Sequence, residues 1–171
     1  MKVSTELIKA LREQTSAGIM ECKQALQETS CDLTAAATIL GERGYALADK
    51  KKERVASQGL VECYIHGGGR IGSLVELRCE SDFVARTPEF KELAHNLAMQ
   101  IVAANPKYIS QQDVPEGNEF CDEECLLLQP FIKDPARTVQ DIVTESIAKV
   151  RENVQIGRFA RFELGLDGQD A

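Results

Sequence analysis

The chain lacks any apolar run approaching the roughly 18 residues that cross a bilayer as a helix, which argues against a membrane-spanning protein. No secretory leader is expected either, since MKVSTELIKALREQ is amphipathic and charged, without a secretory h-region. A cytoplasmic location is therefore expected. Positive charge is scarce where a nucleic-acid binder would need it. Residues 1–55 hold nine Lys/Arg against eight Asp/Glu, and the remainder holds eleven against nineteen, within a net charge of −7. An acidic body does not track phosphates, so protein partners are expected rather than nucleic acid or membrane. Histidine is also rare: His66 and His95 are the two in the chain, both remote in sequence from the CxxxC of Cys121 and Cys125. A metal site there would want further ligands, and a disulfide is not expected in a reducing compartment. Neither a metal nor a cofactor is expected.

Catalytic sets are missing as well. HGGG at 66–69 imitates the oxyanion loop of lipase-like hydrolases, but no GxSxG elbow follows. GGGRIG lacks the GK[ST] ending of a phosphate loop and sits between antiparallel strands. His95 falls beside the apolar stripe of a helix, which suits a surface or packing role. No cysteine has a local histidine that would activate it. The expectation is a binding protein, not an enzyme.

What is present is an ordinary folded composition, 43% hydrophobic and 27% charged over 171 residues. The first 45 residues read as three short helices. Leu7, Ile8 and Leu11 share one face, and TSAG breaks the run with Ser16 as an N-cap. Cys22, Ala25 and Leu26 mark the second helix. Asp32 caps a third, whose Leu33, Ala36, Ala37 and Leu40 follow i, i+3, i+4, i+7 before Gly44 closes it. Residues 46–57, with the run Lys50 to Arg54, read as a helical or flexible connector, either plainly solvated or a cationic patch for an acidic partner.

From Gly59 the period becomes two. Val61, Cys63 and Ile65 lie on one face of a strand, and Ile71, Val75, Leu77 and Cys79 mark the return after a glycine-rich turn, a β-hairpin over 60–79. CESDFVAR then leads to Thr87-Pro88, a strong helix start. That helix carries Phe90, Leu93, Ala94, Leu97, Ala98, Ile101 and Val102 and ends at Asn105-Pro106. Residues 110–137 read as loop. A second capped helix begins at Thr138 with Asp141 in a weak capping box, and residues 154–164 alternate as a closing strand through Val154, Ile156, Ala160, Phe162 and Leu164. The fold class is α+β: a small N-terminal three-helix domain (1–45), a basic linker (46–57), an antiparallel sheet core packed with helices (58–166) and an acidic tail (167–171).

Two segments carry a family resemblance. LIKALREQTSAGIMECKQAL resembles the opening helices of elongation factor Ts, with the pattern LRxxTGAGMMDCKKAL, and VELRCESDFVAR resembles its strand-to-helix signature VNCxTDFVA. The likeness continues through YIHGGGRIGSLVEL, ANPKYIS, QPFIKD and the ENVQIGRF run. Ser16, Ile19 and Ser81 depart mildly from the pattern. The family commonly carries a longer helical insertion before QPF, and longer relatives have two sheet cores where this chain has one. The resemblance implies a UBA-like N-terminal domain and a homodimer in which a second chain supplies the second core. It also implies nucleotide exchange on elongation factor Tu, in its GDP-bound and nucleotide-free states, with disturbance of the magnesium and phosphate site by Ser81, Asp82, Phe83 and Val84. Arg12, Ile19, Met20 and Lys23 would grip the GTPase domain, and His66 would reach another of its domains. Read without the resemblance, Phe83 could cap the sheet core, Asp82 satisfy its turn, and Ile19 and Met20 pack inward. The alternative function is a protein-binding adaptor without exchange activity.

Overall fold

A computed structural model describes residues 3–15, 17–118 and 121–166. Ser16 and the acidic tail lie outside the described residues. The described residues form two compact units, one drawn from the ranges 1–54 and 144–152 and the other from 55–143 and 153–171.

The first unit is built on helices α1 (Thr5–Thr15), α2 (Ile19–Glu28) and α3 (Leu33–Lys51). Leu11, Cys22, Ala25, Leu26, Ala36 and Leu40 form its small core. Helix α2 is capped at Gly18, whose N–H donates to the Glu21 carboxylate at 3.1 Å, and Asp32 caps α3 by accepting from Ala35 N at 3.0 Å. Gly44 does not end α3. A glycine stop requires a left-handed residue, but α3 continues helically to Lys51. Gly44 is buried beside Thr144 and Ala148, and a Cβ there would make ordinary contacts with them at 3.7 Å and 3.9 Å. The expected connector is therefore partly the last turn of α3. Its Lys51 is buried and donates to the carbonyl of Arg151.

The second unit is a three-stranded antiparallel sheet in the order β1 (Gln58–His66), β2 (Ile71–Cys79), β5 (Val154–Glu163). Gly67, Gly68 and Gly69 all take positive φ in the hairpin turn, a run that only glycine adopts cheaply. Helix α5 (Pro88–Ala104) lies on one sheet face, with Ser73 Oγ donating to its Ala98 carbonyl at 2.7 Å. Val75, Leu77 and Cys79 of β2 and Phe90, Ala94, Leu97 and Ile101 of α5 are buried there. The cap is as the sequence suggests: Thr87 accepts from Phe90 N, Pro88 opens the helix, and Asn105 closes it at φ 46°.

Two features of the sheet differ from the sequence reading. The face of β1 that carries Val61, Cys63 and Ile65 points away from α5, with Val61 64% and Ile65 63% exposed. The alternation expected through β5 also breaks. Leu77 pairs with Ile156 and Glu76 with Arg158, leaving Gly157 as the extra residue of a bulge. Beyond it the faces exchange, so Phe162 joins Ile65 on the open side while Val154 and Ile156 share the parity of Leu77 and Cys79. A Cβ at Gly157 would lie 2.6 Å from Arg78 Nε, so a larger residue in the bulge would have to displace the Arg78 guanidinium.

Residues 110–137 are not a plain loop. They contain three 3-10 turns, at Gln111–Asp113, Asp122–Glu124 and Leu126–Leu128, then a two-stranded ladder of β3 (Pro130–Phe131) and β4 (Asp134–Thr138). Buried amides organise this segment. Gln100 Nε2 donates to Gln129 Oε1 at 3.1 Å, and Gln100 Oε1 accepts from Ile132 N at 2.9 Å. Gln129 Nε2 in turn donates to the Glu123 carbonyl at 2.7 Å. Such pairing satisfies backbone groups that would otherwise be costly to bury. The chain enters and leaves the acidic stretch side by side, with Lys107 N and Tyr108 N both donating to Glu124 O and Leu126 N donating to Tyr108 O. Helix α6 (Val139–Val150) follows, with Thr138 and Asp141 capping each other reciprocally.

Candidate protein-binding surfaces

The end of β2 is drawn tightly into the next element. Cys79 Sγ donates to the Ser81 carbonyl at 3.1 Å, and Ser81 Oγ accepts from Val84 N at 3.3 Å. The expected turn is thus a one-turn helix, α4 (Asp82–Ala85), with Ser81 as its N-cap. Val84 and Ala85 are buried at 7% and 8% exposure, so Val84 roots the turn in the unit rather than presenting surface. Thr87 Oγ1 donates to the Val84 carbonyl at 2.8 Å, and Arg86 N donates to the carbonyl of Phe83 at 3.3 Å.

Phe83 stands on this braced backbone with 78% of its surface in solvent. It does not cap the sheet core. An exposed phenylalanine forgoes roughly 1.5–3 kcal/mol of burial, and a fixed backbone lowers the entropy lost if something else buries it. Asp82 pairs with Arg86 at 2.7 Å, but both side chains are mostly exposed, and such i,i+4 pairs are worth little. The carboxylate can change partners at small cost.

In the first unit, Ile19 and Met20 open α2 with 56% and 71% exposure. They are surface residues, not core. Lys23 lies one turn further on the side of Ile19, and Arg12 is exposed in the last turn of α1. Glu21, between Met20 and the core residue Cys22, receives Gly18 N on one oxygen and the Arg151 guanidinium on the other.

The open sheet face is a third surface. Val61, Ile65, Leu74 and Phe162 are 64%, 63%, 45% and 67% exposed, and Leu164 just beyond β5 is 68% exposed. At the hairpin end, Cys63, Ile65, Leu74, Phe162 and Leu164 line a shallow cavity of about 450 Å³. Toward the other end Glu76 sits between Arg78 at 2.6 Å and Arg158 at 2.8 Å. Arg78 first, then Arg158, hold its carboxyl below the usual carboxylate range. A contiguous apolar face with a charged rim is the anatomy of an interface. Sequence alternation marked Val61, Cys63 and Ile65 as one face but carried no sign that α5 covers the opposite side. His66, at the exposed end of β1, is joined to Tyr64, and near it His95 of α5 meets Glu62. That grouping is invisible to a reading by sequence distance.

All six cysteines are free thiols, and among the described residues no group of three or more His, Cys, Asp or Glu is placed to hold a metal. No helix among them is long and apolar enough to cross a membrane. Burial pushes the Cys22 and Cys125 thiols up, and for Cys125 Asp113 and neighbouring acids add to the effect. Because the thiolate is the reactive form, brief alkylation of the native chain should label exposed Cys121 well before Cys22, Cys79 and Cys125. Peptide mass spectrometry reads the order, and early labelling of Cys125 would mean that the acidic segment opens.

Exposed apolar side chains held on capped, hydrogen-bonded elements give this α+β chain candidate surfaces for a protein partner. The family model described as Elongation factor TS matches residues 2–118. Relatives named Elongation factor Ts include that of Carboxydothermus hydrogenoformans, 47% identical over 95% of this chain and 89% of its own length. That of Heliobacterium modesticaldum is 47% identical over 95% and 90%, and that of Caldanaerobacter subterraneus subsp. tengcongensis is 48% identical over 95% and 97%. The chain belongs to the elongation factor Ts family of translation elongation factors. The aligned length of 194 exceeds the 171 residues here, so these relatives carry internal residues that this chain lacks.

Proposed function

We propose that the chain is a guanine-nucleotide exchange factor for elongation factor Tu, acting in the cytoplasm by binding alone, and that Phe83 is its wedge. The observation that carries this reading is Phe83 itself: a large apolar side chain, 78% exposed, on a backbone hydrogen-bonded on both sides. A GTPase holds GDP through phosphate-loop amides and a magnesium ion bridging the phosphates. A rigid side chain driven between its helices shifts those ligands at no covalent cost. Asp82 leaves its exposed pair with Arg86 to meet donors beside the crevice, while Ser81 and Val84 hold the turn. Arg12, Ile19, Met20 and Lys23 grip the GTPase domain from the three-helix unit, and His66 makes a third contact from the core. Two chains pair through their open sheet faces, each supplying the second layer that the other lacks.

Exchange and simple docking differ by linkage. If the chain lowers the affinity of elongation factor Tu for GDP by some factor, GDP must lower the affinity for the chain by that same factor. Titration of the chain into nucleotide-free and GDP-loaded elongation factor Tu is expected to give much tighter binding to the empty form, with equilibrium binding of a fluorescent GDP weakened by the same factor when the chain is present. Equal affinity for the two states would remove the exchange reading and leave the adaptor.

A further inference from the structure

The chain's two histidines, 29 positions apart in sequence, meet at one tyrosine ring. Tyr64 stacks on His66 with centroids 5.9 Å apart and planes inclined by 28°. His95 of α5 stands edge-on to the same ring, at 5.6 Å and 89°. The phenol oxygen of Tyr64 lies 3.1 Å from His66 Nδ1, and His95 Nδ1 lies 3.4 Å from Glu62 Oε1. Glu62, Tyr64 and His66 are alternate residues of β1, so the pleat places them on one face. The result is a continuous row, Glu62–His95–Tyr64–His66, that ends at the last exposed residue of the strand.

The position of His66 makes this row informative. It immediately precedes three glycines with positive φ, the kind of flexible neighbourhood in which an exposed imidazole would visit several rotamers. Stacking and a hydrogen bond instead select one. The direction of that bond also matters. A phenol, with a pKa of about 10, is a far better donor than a neutral imidazole N–H, so the proton runs from Tyr64 Oη to His66 Nδ1. The proton of the neutral ring then resides on Nε2, which has no hydrogen bond among the described residues.

We infer that Tyr64 is a positioning residue for His66, fixing the imidazole as an outward Nε2–H donor for an acceptor on the partner protein, a backbone carbonyl or a carboxylate. His95, paired with Glu62, packs edge-on against the tyrosine ring. This deepens the third contact proposed above and rests on that reading for the partner's identity, whereas the state of the ring can be read in the free chain.

The test joins nitrogen–proton correlation spectra of the histidine rings, taken in their neutral form, to affinity for nucleotide-free elongation factor Tu. The unaltered chain is expected to show His66 as the Nε2–H tautomer. Tyr64→Phe keeps the stack but removes the phenol proton, and should give a mixture of tautomers and a roughly five- to tenfold loss of affinity, the worth of one net hydrogen bond. Tyr64→Phe combined with His66→Ala should bind no worse than His66→Ala alone, since Tyr64 acts through His66. An unchanged tautomer in Tyr64→Phe, or losses that simply add, would overturn the assignment. Undiminished binding by His66→Ala, with the tautomer still set by Tyr64, would overturn only the docking of His66 and uphold the hold of Tyr64 on the ring.

Discussion

With Phe83 as the wedge of an exchange factor, Phe83→Ala is expected to slow stimulated GDP release from elongation factor Tu by about 30- to 700-fold. The range corresponds to the roughly 2–4 kcal/mol lost when a central aromatic anchor is truncated, at about 1.4 kcal/mol per tenfold. The chain itself should not notice. Phe83 is 78% exposed, and substitutions at such positions change stability by no more than about 0.5 kcal/mol. A urea melt of the variant should therefore overlay that of the unaltered chain, which separates a lost wedge from a lost fold. Asp82→Ala should slow release less, because its carboxylate already has an exposed partner in Arg86 and is not committed to the GTPase in the free chain. Stopped-flow release of labelled GDP decides the matter. Full stimulation by Phe83→Ala would dismiss the wedge, whatever the affinity of the complex.

The second large effect concerns self-association. Leu74 lies on the central strand of the sheet, with Cys63 and Ala160 opposite it on the two neighbours, so it occupies the middle of the open face. In a pair of chains related by twofold symmetry, Leu74→Asp brings like charges into an apolar interface, which costs several kcal/mol. The dimer dissociation constant should rise at least about 100-fold, and the mass measured by light scattering should fall from two chains to one. The unaltered side chain is 45% exposed in the single chain, so circular dichroism should show the fold retained. Phe162→Asp provides an independent second variant at a more exposed site. Cys63 supplies a reporter that needs no substitution at all: lying on the same face, it should resist alkylation in the dimer and react in the Leu74→Asp monomer. A single-chain mass for the unaltered protein at micromolar concentration would remove this interface.

Much of the architecture was legible because its signals are local. Thr87-Pro88, the Thr138/Asp141 pair and Asp32 each name a helix start through a bond only three residues long. The glycine run names its hairpin. Where the reading failed, the deciding partner was distant in sequence. Gly44 looks like a stop, yet α3 runs on to Lys51, whose ammonium reaches the carbonyl of Arg151, 100 positions away. The alternation of β5 looks continuous until Arg78, on the neighbouring strand, occupies the space that a side chain at residue 157 would need. The apolar face of β1 looks like core until α5 is found on the other side. The order in residues 110–137 depends on Gln100, a polar residue buried in a helix whose apolar stripe gave no hint of it. The proposed wedge role was suggested by likeness to a family motif, whereas the projection of Phe83 from a braced turn emerges only in the folded chain.

The acidic stretch between α5 and β3 has a consequence for how this fold tolerates change. Its two ends are fastened to each other, Lys107 and Tyr108 to Glu124, and Leu126 back to Tyr108. The chain leaves the body of the unit and returns to it at nearly the same place. Doubling the length of such a loop costs only about 0.6 kcal/mol in closure entropy, and neither α5 nor β3 need move. The unit therefore senses where this excursion starts and stops but not how far it travels, which makes it an evolutionary socket: whole helices can be gained or shed there without retuning the rest of the molecule.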